Sequence, residues 1–207
     1  MQLKGVKIGN PLKRRLPVFL AAVVLLVCTS CSTQGKEELD DLKIEYDRFL
    51  LAEVAQSMDN YLTIYAYLSD SLMELSEDPS NSQLQEKLTG ALEGIYVAKV
   101  GNSGMEWRLF EAYSNNHQEL CSVMQDVSLS YLFSDETDIP FFSMSQEQLE
   151  EVSRIYYALS YSFYRGNSTS FASLIVDREL EGEDFQAALE KTKDWLSELN
   201  EFIQFNP

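Results

Sequence analysis

Long stretches of this chain repeat apolar residues at alternating spacings of three and four, which is the period of one face of an α-helix. The longest such stretch runs from about residue 37 to residue 76 and contains neither proline nor glycine. Its apolar positions are Val54, Met58, Tyr61, Tyr65, Leu68, Leu72 and Leu75. No segment alternates strongly with period two, so the sequence predicts helices and no sheet.

Turn and capping signals divide the rest of the chain into further helices. The second predicted helix spans about 82–100, with Ser82 and Gln85 as a capping box, and the third begins with a similar pair, Ser103 and Glu106. We expect the third helix to continue to about residue 133 because its apolar stripe is unbroken. That stripe consists of Phe110, Tyr113, His117, Leu120, Met124, Val127 and Tyr131.

The fourth predicted helix spans about 145–166 and begins at Ser145, with Gln148 as its capping partner. It is apolar on nearly all sides, which favours a buried, central position. A short fifth helix at about 170–180 and a sixth at about 184–202 complete the chain. We therefore predict an all-α fold, a helical bundle of about four main helices with one or two short ones.

Charge is distributed unevenly along the chain. The first thirty residues contain five basic side chains and no acidic one, whereas the whole chain has a net charge of −17. Without those five, 11 of the 16 basic residues remain against all 33 acids, a net charge of −22. A surface this negative repels phosphate backbones, so we expect no nucleic-acid partner.

The N-terminal segment has the parts of a secretory signal. Lys13, Arg14 and Arg15 precede an apolar run of twelve residues, 16–27. A helix that crosses the hydrocarbon core of a bilayer needs about 20 apolar residues, so this run is too short for a permanent span. A basic flank before a short apolar region is typical of a signal peptide.

The run is followed by Cys28-Thr29-Ser30-Cys31. This segment resembles the lipobox of bacterial lipoprotein precursors, in which an aliphatic residue and two small residues precede an invariant cysteine. Thr29, Ser30 and Cys31 match the last three positions, and Cys28 occupies the aliphatic one. The resemblance, which covers residues 1–31 only, implies cleavage between Ser30 and Cys31 and diacylglyceryl transfer to the Cys31 sulfur. An uncleaved N-terminal anchor is the alternative.

These features predict three parts: a signal peptide at 1–30, a short polar tether at 31–38 and a single helical domain at 39–207. Two long acyl chains hold a protein durably at a membrane because each buried methylene contributes about 0.8 kcal/mol. We therefore expect the mature protein to be bound to the membrane through acyl chains on Cys31. It would lie on the extracytoplasmic side of the cell membrane, or at an outer membrane if the organism has one.

The chain lacks the sequence patterns of common catalytic and phosphate-binding sites, so we expect no enzyme activity, no cofactor and no metal. His117 lies one turn before Cys121, a pair that needs further ligands to bind a metal. We interpret His117 as a core or interface histidine and Cys121 as a buried thiol. Asp135, Glu136 and Asp138 lack the spaced ligands and the glycine of a calcium loop, and we interpret them as a solvated acidic loop.

Tyr157, Tyr161 and Tyr164 form a second face of the fourth predicted helix. Tyrosine combines an apolar ring with a hydroxyl that needs a partner, which suits interfaces and ligand pockets, and core packing is the alternative. We predict a non-enzymatic lipoprotein whose helical domain binds another envelope protein. The alternative is a ligand-binding lipoprotein with an aromatic pocket at these tyrosines, which requires a concave cavity beside the fourth helix.

Overall fold

The computed structural model describes residues 33–100, 103–115, 117–130 and 139–205. These ranges contain α1 (Thr33–Glu77), α2 (Ser82–Val100), α3 (Ser103–Tyr113), α4 (Gln118–Leu129), α5 (Gln146–Ser162), α6 (Phe171–Val176) and α7 (Glu183–Phe205), with a 3₁₀ turn at Pro140–Ser143. No strand occurs in the described residues, so the predicted all-α fold is confirmed. Nor does any described helix combine the length and apolar character that a bilayer crossing requires.

Helix α1, with 45 residues, is the longest element in the described part of the chain. It begins at Thr33, so residues 33–38 of the predicted polar tether are helical. Each added residue extends an existing hydrogen-bond ladder at little cost, which favours this extension. The chain divides into two compact units, and the second begins at Phe49.

In the first unit, the side chains described, from Leu39 to Arg48, are all exposed. In the second unit, the predicted apolar stripe of α1 lies in the core, and all of its members are buried. Tyr61 and Tyr65 each pack on Phe163, with ring centroids 5.4 and 5.6 Å apart. The periodicity of α1 therefore identified one wall of the core correctly.

Two buried tyrosine hydroxyls bind the C-terminal end of α4. Tyr65 Oη donates a hydrogen bond to the Val127 carbonyl at 3.0 Å and lies 2.8 Å from Ser130 Oγ. Tyr156 Oη, from α5, donates to the Ser130 carbonyl at 3.0 Å. The last carbonyls of a helix have no partner within it, so these hydroxyls satisfy acceptors that are buried there. Burial raises the pKa of both phenols, which keeps them protonated as donors.

The prediction of one continuous third helix was wrong, because two separate helices, α3 and α4, occupy the predicted range. The chain turns at Ser114 and Asn115, and Asn115 has a left-handed φ of 52°. Asparagine adopts this conformation more readily than most residues, so it ends a helix whose apolar stripe continues. His117 then caps α4: its Nδ1 accepts a hydrogen bond from the Leu120 N–H at 3.2 Å. This histidine is half-buried and does not lie on a core stripe.

The predicted capping box at α5 is confirmed. Ser145 Oγ accepts from the Gln148 N–H at 3.3 Å, and Gln148 Oε1 accepts from the Ser145 N–H at 2.8 Å. The helix ends at Ser162, earlier than the predicted residue 166, because Phe163 leaves the helical region with φ −96° and ψ 1°.

Helix α2 has the predicted bounds, but its cap was assigned to the wrong residue. Asn81 Oδ1 accepts hydrogen bonds from the N–H groups of Gln83 and Leu84 at 3.1 and 3.3 Å. Gln85 donates to the Pro79 carbonyl at 2.8 Å instead of completing a capping box with Ser82. The side chains of the third predicted pair, Ser103 and Glu106, lie outside the described part of the chain.

Helix α7 packs against α4, α5 and α6. Its apolar face is buried, and ion pairs join its surface to two of those helices. Lys193 pairs with Glu119 of α4, and Glu198 accepts from Arg154 of α5 at 2.9 Å. Exposed pairs of this kind contribute little to stability, about 0–1 kcal/mol each. The apolar contacts therefore hold α7 in place, and the surface ion pairs add little to its stability.

We expect Tyr65→Phe to lower the free energy of unfolding by about 0.5–1.5 kcal/mol, because the buried Val127 carbonyl loses one of its two donors and keeps the Ser130 hydroxyl as the other. Urea denaturation followed by circular dichroism measures the change. Tyr157→Phe is the matched control: its side chain is exposed and loses the same atom, so its stability should not change. Equal effects of the two substitutions would contradict the role given to the buried hydroxyl.

Candidate functional site

Several residues singled out from the sequence lie outside the described part of the chain. They include the expected cleavage and lipidation residues, Ser30 and Cys31, and the acidic loop that contains Asp135, Glu136 and Asp138. The predictions made for them stay predictions.

The second face of α5 is exposed, contrary to the expectation of a helix buried on nearly all sides. Tyr157 and Tyr161 are one turn apart on α5, and 63% and 51% of their surface is exposed. Tyr164, which follows the helix, is 48% exposed, and its ring lies 6.2 Å from that of Tyr161. The opposite face of α5 is buried, so the helix presents tyrosines outward because only one side is covered.

Two of these tyrosines line a cleft of about 280 Å³ between α5 and α7. The residues lining the cleft are Tyr157, Ala158, Tyr161, Ser162, Asn167, Thr169, Ser170, Phe171, Ala188, Lys191 and Trp195. The concave cavity that the pocket hypothesis requires is therefore present beside α5. Tyr164, the third predicted residue, does not line it.

Gly166 explains where Tyr164 lies. A Cβ atom at Gly166 would come within 2.4 Å of the Tyr164 ring, so the ring occupies the space that any other side chain needs. Beyond this contact, Asn167 Oδ1 accepts from the N–H and the hydroxyl of Thr169 at 3.1 and 3.0 Å. Ser170 then caps α6 by accepting from the Ser173 N–H. The loop at the rim of the cleft is thus held by its own hydrogen bonds.

One buried side-chain nitrogen in the described residues lacks a hydrogen-bond partner, and it belongs to Trp195. Its Nε1 is out of contact with solvent and has no hydrogen-bond partner. An unpaired donor of this kind costs about 1–3 kcal/mol. The guanidinium of Arg154 lies over the indole, 5.2 Å from its centroid. The ring is therefore held on one side, while its N–H is left without an acceptor.

Among the described residues that line the cleft, Lys191 is the only charged one. Sequence reasoning singled out neither Lys191 nor Trp195. Both lie on α7, four residues apart, so their side chains share one face of that helix. The spacing of four indicates that Lys191 and Trp195 lie on the same face of a helix. Nothing in the sequence indicated that this face would lie beside the tyrosines of α5.

The side chains of His117 and Cys121 both contact other protein groups. His117 Nδ1 is the cap of α4, and the ring meets Phe185 edge-on at 5.7 Å. Cys121 is a free, buried thiol 3.6 Å from Ser114 Oγ, which confirms its predicted burial. Within the described ranges, no group of three or more histidine, cysteine or carboxylate residues is placed to hold a metal ion.

A second depression, of about 490 Å³, lies along α2 and is lined largely by polar side chains, with Phe142 as its aromatic member. Gly90 lines it, and a Cβ atom at this position would meet no other atom within 4 Å. This depression lacks the aromatic walls of the α5–α7 cleft, which is the better candidate for a binding site.

Comparison with protein-family models, with curated proteins and with solved structures returns no match for this chain.

We expect His117→Ala to lower the free energy of unfolding by about 0.5–2 kcal/mol, because α4 loses its N-terminal cap. His117→Asn should retain most of the stability, since asparagine is a strong capping residue. Urea denaturation of both variants measures the difference. If both lose the same amount, the ring contact with Phe185, and not the cap, is the main contribution of His117.

Proposed function

We propose that this chain is a lipid-anchored, extracytoplasmic protein whose helical domain binds another protein. The binding surface is the side of α5 that exposes Tyr157 and Tyr161, which we call the tyrosine face. The single observation that carries the proposal is the exposure of Tyr157 and Tyr161 at the edge of a cleft that contains the unpaired Trp195 indole. Tyrosine and tryptophan are enriched at protein interfaces, where they supply large contact areas at low entropic cost.

The exposure of the tyrosines at the cleft supports a protein partner over a free small molecule. Pockets for drug-sized ligands usually enclose about 300–1,000 Å³ and bury most of the ligand. The cleft has about 280 Å³, and its tyrosines remain more than half exposed. A partner that covers the tyrosine face and inserts one side chain into the cleft would bury the exposed tyrosines and fill the cleft at the same time.

A binding role is also supported by the side chains that line the cleft. The described lining contains one lysine and two tyrosines, and no carboxylate, histidine or cysteine. We therefore propose a partner-binding surface and no catalytic centre.

The lipid anchor in this proposal comes from the N-terminal sequence. The basic cluster, the twelve-residue apolar run and the lipobox-like Cys28-Thr29-Ser30-Cys31 favour acylation of Cys31. An anchored protein meets its partners at a membrane, so we propose another envelope protein as the partner. A ligand-binding lipoprotein remains the second candidate, and the presence of the cleft beside α5 favours it.

We expect the double substitution Tyr157→Ser and Tyr161→Ser to reduce partner capture at least about tenfold, since paired hot-spot residues each contribute about 1 kcal/mol or more. Crosslinking in cells followed by quantitative mass spectrometry measures the capture. Because both side chains are exposed, the fold should persist, which circular dichroism checks.

Tyr46→Ser is the matched control, because Tyr46 is 55% exposed on α1 and does not line the cleft. Its capture profile should equal that of the unsubstituted protein. A reproducible partner whose recovery is unchanged by the double substitution would refute binding through the tyrosine face.

We expect Cys31→Ala to abolish acylation and cleavage and to leave residues 1–30 attached. Intact-mass measurement of the purified protein and fractionation of cells test this directly. Cys28→Ala is the control and should be processed normally, because the expected acyl acceptor is retained. Normal processing and unchanged membrane retention of the Cys31 variant would reject the anchor.

A further inference from the structure

We infer that the cleft between α5 and α7 binds the C-terminal residue of a partner protein, with an apolar side chain against the aromatic walls and the terminal carboxylate at Lys191. This inference rests on the proposed function and names the part of the partner that the tyrosine face recognises. It depends on the aromatic walls of the cleft, its unpaired cation, and its size.

The cleft is aromatic on both of its helical sides. Tyr157 and Tyr161 come from α5, Trp195 comes from α7, and the buried ring of Phe171 also lines the space. A leucine or phenylalanine side chain that enters loses its contact with water against these rings, which favours binding. Asn167 and Thr169 also line the cleft, and their mutual hydrogen bonds hold the loop beside it.

The cation in the cleft has no partner of its own. No ion pair or hydrogen bond joins Lys191 to any described residue, although Asp194 lies one turn further along α7. Other described basic residues do pair with acids, among them Lys43, Lys87, Arg154, Arg165 and Lys193. An unpaired lysine next to apolar rings favours a ligand with a carboxylate at this position, because the ammonium attracts it at short range although the chain as a whole is negative.

The positions of Lys191 and Trp195 limit the distance between the two groups of the ligand. Residues four apart on a helix have Cβ atoms about 5–6 Å apart, so the carboxylate and the apolar group must also be close together. In a C-terminal residue both groups are attached to one Cα atom, which meets this condition. A volume of about 280 Å³ accommodates one such residue rather than a long segment.

The indole of Trp195 makes occupancy measurable. Its N–H is buried and unpaired, and its ring lines the cleft together with Lys191. A side chain that enters the cleft changes the surroundings of the indole and therefore its fluorescence.

The test uses two peptides, acetyl-Ala-Ala-Phe with a free carboxylate and the same peptide as its C-terminal amide. The full chain, purified in detergent, carries Trp107→Phe, so that Trp195 is the remaining tryptophan. We expect the acid to change the tryptophan emission with half-saturation at millimolar concentration, and the amide to bind about two- to fivefold more weakly, the range of an exposed ion pair.

Two further variants in the same background separate the contributions. Lys191→Gln keeps most of the side-chain length and should remove the preference for the acid while leaving binding of the amide unchanged. Tyr161→Ser should weaken both peptides equally, because it removes an apolar wall. Circular dichroism confirms that each variant keeps its helical content.

The inference is overturned if neither peptide changes the emission, if acid and amide bind equally, or if Lys191→Gln keeps the preference. It is also overturned if acetyl-Phe-Glu amide, with an internal carboxylate, binds as tightly as the acid. These failures are distinct from failure of the proposed function, because capture that depends on Tyr157 and Tyr161 would persist if the partner used the same face without its C-terminus.

Discussion

The hydrogen bonds from Tyr65 and Tyr156 to the end of α4 are the constraint on which the second unit depends. They join three helices through two carbonyls, those of Val127 and Ser130, that have no partner within α4. Because the donors and acceptors are buried, each is costly to leave unpaired. The aromatic rings around them fill the core, and the directional hydrogen bonds of the hydroxyls favour one pairing of turns between α4 and its neighbours α1 and α5.

This constraint also determines which side of α5 is exposed. With Tyr156 held inward by its hydroxyl, the next residue, Tyr157, points to a different side of the helix, and Tyr161 follows it one turn later. Helix α7 packs beside α5 and brings Lys191 and Trp195 to the same cleft. The candidate site therefore follows from the packing of α5 and α7 on the core.

The sequence predicted the parts of the fold that depend on long apolar periodicity, such as the buried stripe of α1 and the bounds of α2. It did not predict the break at Asn115, because one residue with positive φ ends a helix without interrupting the apolar spacing. It identified the tyrosines of α5 as a separate face but not their exposure, since exposure depends on where other helices lie. Lys191 was missed for the same reason: its significance comes from the rings opposite to it.

The burial of Cys121 has a consequence for the conditions in which this domain is stable. The chain has three cysteines, two of them within the first 31 residues, and Cys121 is a free thiol. The second unit therefore contains no covalent cross-link and is held together only by packing and hydrogen bonds. Its stability should be the same in oxidising and reducing surroundings, and a thiol reductant should neither unfold it nor slow its refolding.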